Sequence, residues 1–586
     1  MKRIIFILTV LLTSLAIMAA PALRKPFTVT QPDGTTLTIR QHGDEYHHWT
    51  TTSDGTMVVN TGHGYYVARV NDEGMLEASD VLAHETMLRN NQEQTVVAEQ
   101  MERHSLFHER GGQRAASRRA MGIRDNGYLP HTGNVRVLTI LAAFQDQNFT
   151  VNEPVNAFTQ YLNGETQEAL GNKNERNIAS VRKYFTTVSH GLFTPQFDVV
   201  GPVTLPEKMA YYGGTSSDGS DDRFSAFCQD AVAAVNSAGL VEDWTVYDND
   251  NDGKVELVCV IFAGYGQNQG GDNNTIWPKA SYQDMMTGDQ TISFFNCACE
   301  KFYPMEAYKD DINGTGVFVH EMSHCMGLPD LYQTSSTIVD NQDMETWDVM
   351  DYGCYNYNGY APALYTAWEQ EVMGWTTIDP VTDISELDNI LPLEEGGKAY
   401  KIANSDNERD FIVMENIQQR GLNARAYGHG LLVYHVNYPQ PAVGMYDFPN
   451  DVPGKPAVAV VPASGSLIAN QREGVDRNEW RENMAEAPFP GINGVTTLSD
   501  DMDLPNYCFY SDDTKKDVGL MLSGITENTE TGAISIAHDT AVHSIIGDAP
   551  LTPLSPPVWF NLQGMRIDQP TTKGVYIVNG KKYLKK

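Results

Sequence analysis

The stretch GVFVHEMSHCMGLPDLY, residues 316–332, decides how the chain is read. Phe318, Met322 and Cys325 recur at helical spacing, as do Val319, Met322 and Met326, so one stripe of a helix is buried. Gly327 followed by Pro329 ends that helix. His320 and His324 lie four residues apart, which projects both imidazoles from one face, one turn apart. That spacing lets two ring nitrogens hold a single Zn²⁺ ion. Glu321, one position on, is displaced toward the open side of such a metal. A carboxylate there takes a proton from water and delivers it to a leaving amine.

A catalytic zinc needs a third protein ligand and one open position. Two carboxylates compete for the place. Asp330 lies three residues past Gly327, where the chain turns back under the helix. Glu369, in YAPALYTAWEQEVMGW, lies on a downstream helix candidate. Asp330 is the first choice and Glu369 the rival. In WDVMDYG (347–353) Met350 provides an apolar floor for the imidazoles or plain core packing. Tyr352 is a candidate hydrogen-bond donor to a tetrahedral oxyanion, or an ordinary tyrosine. A second cluster, YDNDNDGKVELV (247–258), sets Asp248, Asp250, Asp252, Gly253 and Glu256 at the first nine positions of a calcium loop. Cys259 stands where the last acidic ligand would be, and a strand follows. A structural Ca²⁺ is expected, with an acidic solvated turn as the alternative. His47, His48, His190, His429 and His435 show no partner spacing and read as structural. GQNQGGDNN (266–274) lacks the Lys-Ser/Thr of a phosphate loop.

The whole chain is acidic: 41 Lys+Arg against 75 Asp+Glu among 586 residues, a net charge of −34. Such a chain repels phosphate backbones, so a nucleic-acid partner is not expected. The N-terminus carries Lys2 and Arg3, an apolar run from Ile4 to Met18, and small residues at Ala19, Ala20 and Ala22. It reads as a signal peptide (1–20) cut between Ala19 and Ala22. The alternative, a membrane anchor, needs about 20 apolar residues, more than this run has. No later stretch is that long. No transmembrane segment is therefore expected after signal removal, and the protein is secreted or attached at the cell surface. Seven cysteines, an odd number, imply at most one or two bridges.

From Pro26 to about Ala98, β-like runs alternate with Asp-Gly turns. Arg103, Arg110, Arg114, Arg118, Arg119 and Arg124 then crowd a polar stretch, an exposed linker open to trypsin-like cleavage. It ends either a propeptide (21–124) or an ordinary domain. VRVLTILAAF and KVELVCVIFAG read as buried strands, with helix candidates at Ile178–Val188 and Asp222–Ala238 between them. Residues 133–376 are thus a mixed α/β layer. Strands and turns dominate 377–543. A Pro-rich linker (548–557) leads to a small hairpin unit with a basic end (558–586).

HEMSHCMGLPDLY, WDVMDYG and APALYTAWEQEVMGW together resemble the immune inhibitor A family of secreted zinc metallopeptidases. SVRKYFTTVSHGLF, DNDNDGKVELVCVIFAG and FIVMENIQQRG…GHGLLVYHV extend the likeness over most of the chain. The resemblance implies an α+β multidomain protein: a zincin-like (metzincin-like) catalytic domain with a mixed sheet and active-site helix, after a propeptide and before a β-rich domain. It implies zinc at His320 and His324, Glu321 as general base, bound calcium, protein or peptide substrates and an activating protease. The region before residue 227 has no cysteine, so latency through a zinc-bound thiolate is excluded. Asp351 departs from the small residue or serine that many relatives carry after the turn methionine, which bears on substrate preference. NLQGMRIDQPTTKGVYIVNGKKYLKK is similar to C-terminal sorting segments of the type IX secretion system of Bacteroidetes, which would make secretion machinery a partner. Two other classes remain open: an inactive surface binding or adhesion protein that keeps the fold, and a zinc hydrolase acting on a non-peptide bond.

Overall fold

The computed structural model describes residues 17–18, 20–23, 25–43, 48–72, 74–104, 107, 127–165, 174–213, 221, 223–271, 274–302, 311–334, 343–381, 384, 387–440, 442–469, 475–511, 514–537, 559–560, 566–567, 574–578 and 581–585. Most of the expected signal peptide, the Arg-rich stretch beyond residue 107 and the Pro-rich linker lie outside the described residues. The chain divides into two compact units, Met1–His538 and Asp539–Lys586.

In the first unit a two-residue strand, β1 (Ile17–Met18), precedes an antiparallel meander of β2 (Phe27–Thr30), β3 (Thr36–Gly43), β4 (His48–Thr52), β5 (Met57–Asn60), β6 (Tyr65–Val70) and β7 (Leu76–Leu82). Gly34 and Gly55 take positive φ of 87° and 85° in the Asp-Gly turns, as hairpin connections require. The meander stops at Leu82, earlier than the sequence pattern suggested. Helix α1 (Asn91–Glu102) follows. Asn90 caps it by accepting from the Glu93 amide, and the Gln100 side chain bonds the backbone of Met57 and Ala68, tying the helix to the meander.

The central sheet contains β8 (Arg136–Ala143), β9 (Gln196–Thr204), β10 (Lys254–Tyr265), β11 (Lys279–Thr287) and β12 (Gln290–Lys301), in the order β1-β11-β12-β10-β8-β9. Strands β12, β10, β8 and β9 run parallel; β11 is antiparallel and carries β1 on its outer edge. Parallel strands buried on both faces need apolar residues at every position. Val137, Leu141, Leu257 and Ile261 accordingly face one core, and Leu138, Ile140, Val258 and Val260 the other. Helices α2 (Pro154–Asn163), α3 (Val181–Val188) and α5 (Thr315–His324) contribute to the first core, and α4 (Phe224–Ser237) to the second.

A five-stranded sheet follows helix α6 (Ala367–Val372): β13 (Ile378–Pro380), β14 (Ala399–Asn404), β15 (Asn407–Ile417), β16 (Gly430–Asn437) and β17 (Val458–Val460). Val413, Leu432 and Val458 share one apolar core with Phe318 and Met322 of α5. The expected boundary at 376/377 is therefore crossed by a continuous core. Helix α7 (Arg477–Ala485) interrupts this strand-rich region where the sequence reading had only strands and turns. Asp476 caps it through the amides of Asn478 and Glu479.

The second unit contains a four-stranded antiparallel sheet of β18 (Trp559–Phe560), β19 (Arg566–Ile567), β20 (Gly574–Val578) and β21 (Lys581–Lys585). All seven cysteines are buried and free. Among the described residues no helix is long and apolar enough to cross a membrane.

Candidate metal centre

Helix α5 enters against the segment 352–359, where side chains cannot fit. A Cβ on Gly316 would lie 1.9 Å from the Cys354 carbonyl oxygen, and one on Gly314 2.2 Å from the Gly359 carbonyl carbon. The two glycines let the backbones touch, which fixes the helix in register with the segment that follows Met350. All ten residues of α5 are buried.

At its end His320 Nδ1 donates to the Val349 carbonyl at 2.7 Å and His324 Nδ1 to the Leu328 carbonyl at 2.8 Å. A carbonyl only accepts, so each ring carries its proton on Nδ1 and presents a bare Nε2. The two Nε2 atoms lie 3.2 Å apart, and each is 3.2 Å from Asp330 Oδ1. Three lone-pair atoms therefore converge with no proton between the two nitrogens. Burial lowers the pKa of His320 below the usual imidazole value, with Asp330 opposing. At Asp330 burial acts upward, but the facing His324 and His320 outweigh it and hold the carboxyl below its usual range. Met350 lies in the apolar core beside these rings.

Glu369 is placed differently. Its carboxylate completes a capping box at the start of α6, accepting from the Thr366 amide at 2.8 Å. Burial and the neighbouring Asp348 push its pKa far up, and burial brings Asp348 to about 7. The ligand atoms that converge are those of His320, His324 and Asp330, within 4.8 Å of one another. Tyr352 is 6% exposed and reaches the same neighbourhood through Tyr332, whose ring centroid is 6.3 Å from both the His320 and Tyr352 rings.

Glu321 Oε1 accepts from the Ala20 amide at 2.5 Å. The N-terminal segment is held there by further bonds: Trp277 Nε1 to the Ala20 carbonyl, Tyr355 Oη to the Pro21 carbonyl, and the Leu23 amide to the Asn268 carbonyl. Neither Trp277 nor Tyr355 stood out in the sequence, and GQNQGG supplies the rim on which Leu23 docks. No local spacing signals such contacts, since the partners lie hundreds of residues apart.

In the second acidic cluster Asp248, Asp250 and Glu256 gather ligand atoms within 4.8 Å. Asp252 is not in that group; its Oδ1 accepts from the Lys254 amide at 2.9 Å. Glu256 has its pKa raised, chiefly by burial. The other histidines are occupied structurally. His435 bonds Asp410 at 2.6 Å, His429 bonds Glu527 at 2.8 Å, His190 bonds Gln370 at 2.9 Å, and His48 packs on Trp277. His47 lies outside the described residues.

Residues 131–376 match the family described as Immune inhibitor A peptidase M6, catalytic domain. The chain is 25% identical over 297 residues to Immune inhibitor A of Bacillus thuringiensis subsp. alesti, a match covering 44% of this chain and 42% of that protein. It is 21% identical over 234 residues to the Pre-pro-metalloprotease PrtV of Vibrio cholerae serotype O1 (strain M66-2), covering 34% of this chain and 24% of the relative. The chain thus spans less than half the length of the curated relatives it matches. The matched family model is a peptidase catalytic domain, and PrtV is named a metalloprotease.

Proposed function

We propose that the chain is an exported zinc endopeptidase made as a latent precursor. The carrying observation is the convergence of His320 Nε2, His324 Nε2 and Asp330 Oδ1, with Glu321 beside them. Three acceptors facing one point in a dry interior repel one another unless a cation lies between them. Two imidazoles and one carboxylate are the donor set of a catalytic zinc that keeps an open position. When bound, zinc supplies Lewis-acid polarisation of a carbonyl and acidifies water. Glu321 takes the proton from the attacking water and passes it to the leaving nitrogen. Tyr352 donates its O–H to the developing oxyanion, and the Nδ1–H bonds to Val349 and Leu328 keep both rings aligned.

Residues 21–124 act as a propeptide whose first residues, with Ala20, block the cleft. An amide on Glu321 occupies the oxygen that would otherwise receive the proton of water. A trypsin-like protease cutting in the Arg-rich stretch would release it. Asp248, Asp250 and Glu256 hold a structural Ca²⁺ at the entry to β10, with Asp252 shaping the turn. The tail 558–586 is an address read by type IX secretion machinery, so deleting it should leave the protein inside the cell envelope.

The test pairs zinc analysis with casein hydrolysis on the exported chain, after trypsin nicking, for wild type and Glu321→Gln. One zinc per chain in both, with hydrolysis in wild type alone and lost to chelator, is the expected result. A chain that binds no zinc would overturn the reading. Zinc without turnover on any protein would favour the binding role.

A further inference from the structure

A cavity of about 420 Å³ has a wall that includes Tyr352, Tyr355, Arg425, Arg477, Trp480 and Arg481. The chain as a whole carries −34 charges, yet among the described residues no Asp or Glu lines this cavity. The three arginines come from two distant segments. Arg477 and Arg481 are one turn apart on α7, and Arg425 lies in the turn before β16. Aromatic rings hold two of them in place: the Arg477 guanidinium carbon lies 4.1 Å from the Trp480 ring centre, and that of Arg425 4.6 Å from the Tyr357 ring centre. A guanidinium stacked on a ring presents its N–H edge, the edge that grips a carboxylate, to the side of the ring.

The N-terminal segment shows which end of a substrate this cavity would meet. It passes Glu321 at Ala20 and puts Leu23 and Lys25 into the cavity wall. Three residues of extended chain span roughly 10 Å, so the cavity lies a few residues C-terminal to the point facing Glu321. A substrate bound in the same chain direction as this segment would place its leaving half there. The present occupant is electrically mismatched. Lys25 bonds Asn358 Oδ1 at 3.1 Å, and its pKa is lowered by burial and then by the charges of Arg481 and Arg477.

We propose that this cavity is a subsite that selects an acidic side chain on the leaving-group side of the scissile bond, read by Arg425, Arg477 and Arg481. The proposal rests on the peptidase reading above. A carboxylate entering here would replace a repelled lysine by an attracted anion, in a molecule whose remaining surface disfavours acidic substrates. The mismatch also makes the segment's own cation a poor competitor for that substrate.

The experiment digests a mixed peptide library with the trypsin-nicked exported chain and aligns the cleavage sites. Asp and Glu should be enriched within the first five residues after the cut. The R425E/R481E double variant changes two exposed side chains, and its ratio of acidic to neutral cleavage should fall roughly tenfold, with Lys and Arg gaining. No acidic enrichment in wild type, or the same enrichment in the double variant, would overturn the proposal. If the double variant does not fold, wild type at rising salt replaces it: acidic enrichment should decline with ionic strength, and a salt-independent enrichment overturns the proposal. Binding of an Asp-containing and a Lys-containing hexapeptide to the E321Q chain separates the two readings. Preference for the acidic peptide without cleavage by wild type would leave the subsite standing and remove the peptidase; cleavage without that preference would do the reverse.

Discussion

The Ala20 amide nitrogen lies 2.5 Å from Glu321 Oε1, a contact across 301 positions of sequence. The same residue offers its carbonyl to Trp277 Nε1 at 3.1 Å. One residue is thus gripped on both sides of its backbone, against the side chain that follows His320 in the sequence.

This contact depends on where export trims the chain. A cut between Ala19 and Ala20 leaves Ala20 in place; a cut after Ala22 removes it. A precursor that begins at Ala20 keeps the contact, with an α-ammonium in place of the amide, whereas a cut after residue 20 removes it, and N-terminal sequencing reads which. Trp277→Phe should loosen the grip by one hydrogen bond, worth about 1 kcal/mol. Its casein hydrolysis before nicking, relative to after, should rise about fivefold. A precursor starting at Leu23, or an unchanged ratio in the variant, would dissociate Ala20 from latency.

Metal content separates the two carboxylates. Asp330→Ala removes the oxygen that faces both Nε2 atoms, and zinc per chain should drop well below one. Glu369→Gln keeps an oxygen for the Thr366 amide and should retain zinc. Elemental analysis after dialysis checks both. Loss of zinc in Glu369→Gln, with retention in Asp330→Ala, would reverse the assignment.

Gly316→Ala tests how the helix is positioned. The new methyl would meet the Cys354 carbonyl oxygen at 1.9 Å, and that partner is backbone, which cannot swing aside. Either the helix or the 352–359 segment shifts, at a cost of roughly 3 kcal/mol or more. Both lower zinc content and a lower thermal midpoint are expected. A variant equal to wild type in both would mean that the two backbones separate freely.

What could be read from sequence follows from the distance between cooperating residues. His320 and His324 sit four residues apart on one helix, so spacing alone places both rings on one side, with Glu321 one position round. The unbroken apolar runs of β8 and β10 were equally local. Helix α1 was missed because Asn90 and Glu93 make its cap without a strong apolar stripe to announce it. Helix α7 hid in a strand-rich region although Asp476 and Glu479 spell a cap in retrospect. The cationic cavity was invisible because Arg425 and Arg481 meet only through tertiary packing. The choice between Asp330 and Glu369 likewise needed the partner that each carboxylate faces.

The last expectation concerns pH and a buried acid that faces the start of α6. Burial raises the Glu415 carboxyl from 4.5 to about 7, while its Oε1 accepts from the Ala367 amide and from Tyr434 Oη, each at 2.9 Å. Between those two values the folded chain keeps a proton that the unfolded chain has lost. Stability from this group is complete below pH 4.5 and disappears as pH rises through about 7. Two and a half units correspond to about 3 kcal/mol. Asp348, also raised to about 7, adds in the same direction. Glu415→Gln keeps the accepting oxygen and cannot ionise, so it should match wild type at about pH 4 and exceed it at about pH 8. Urea unfolding at both pH values, with metal saturating, measures the difference. Equal gaps at the two pH values would mean that Glu415 is ionised throughout, and that its bonds to Ala367 and Tyr434 hold a charge.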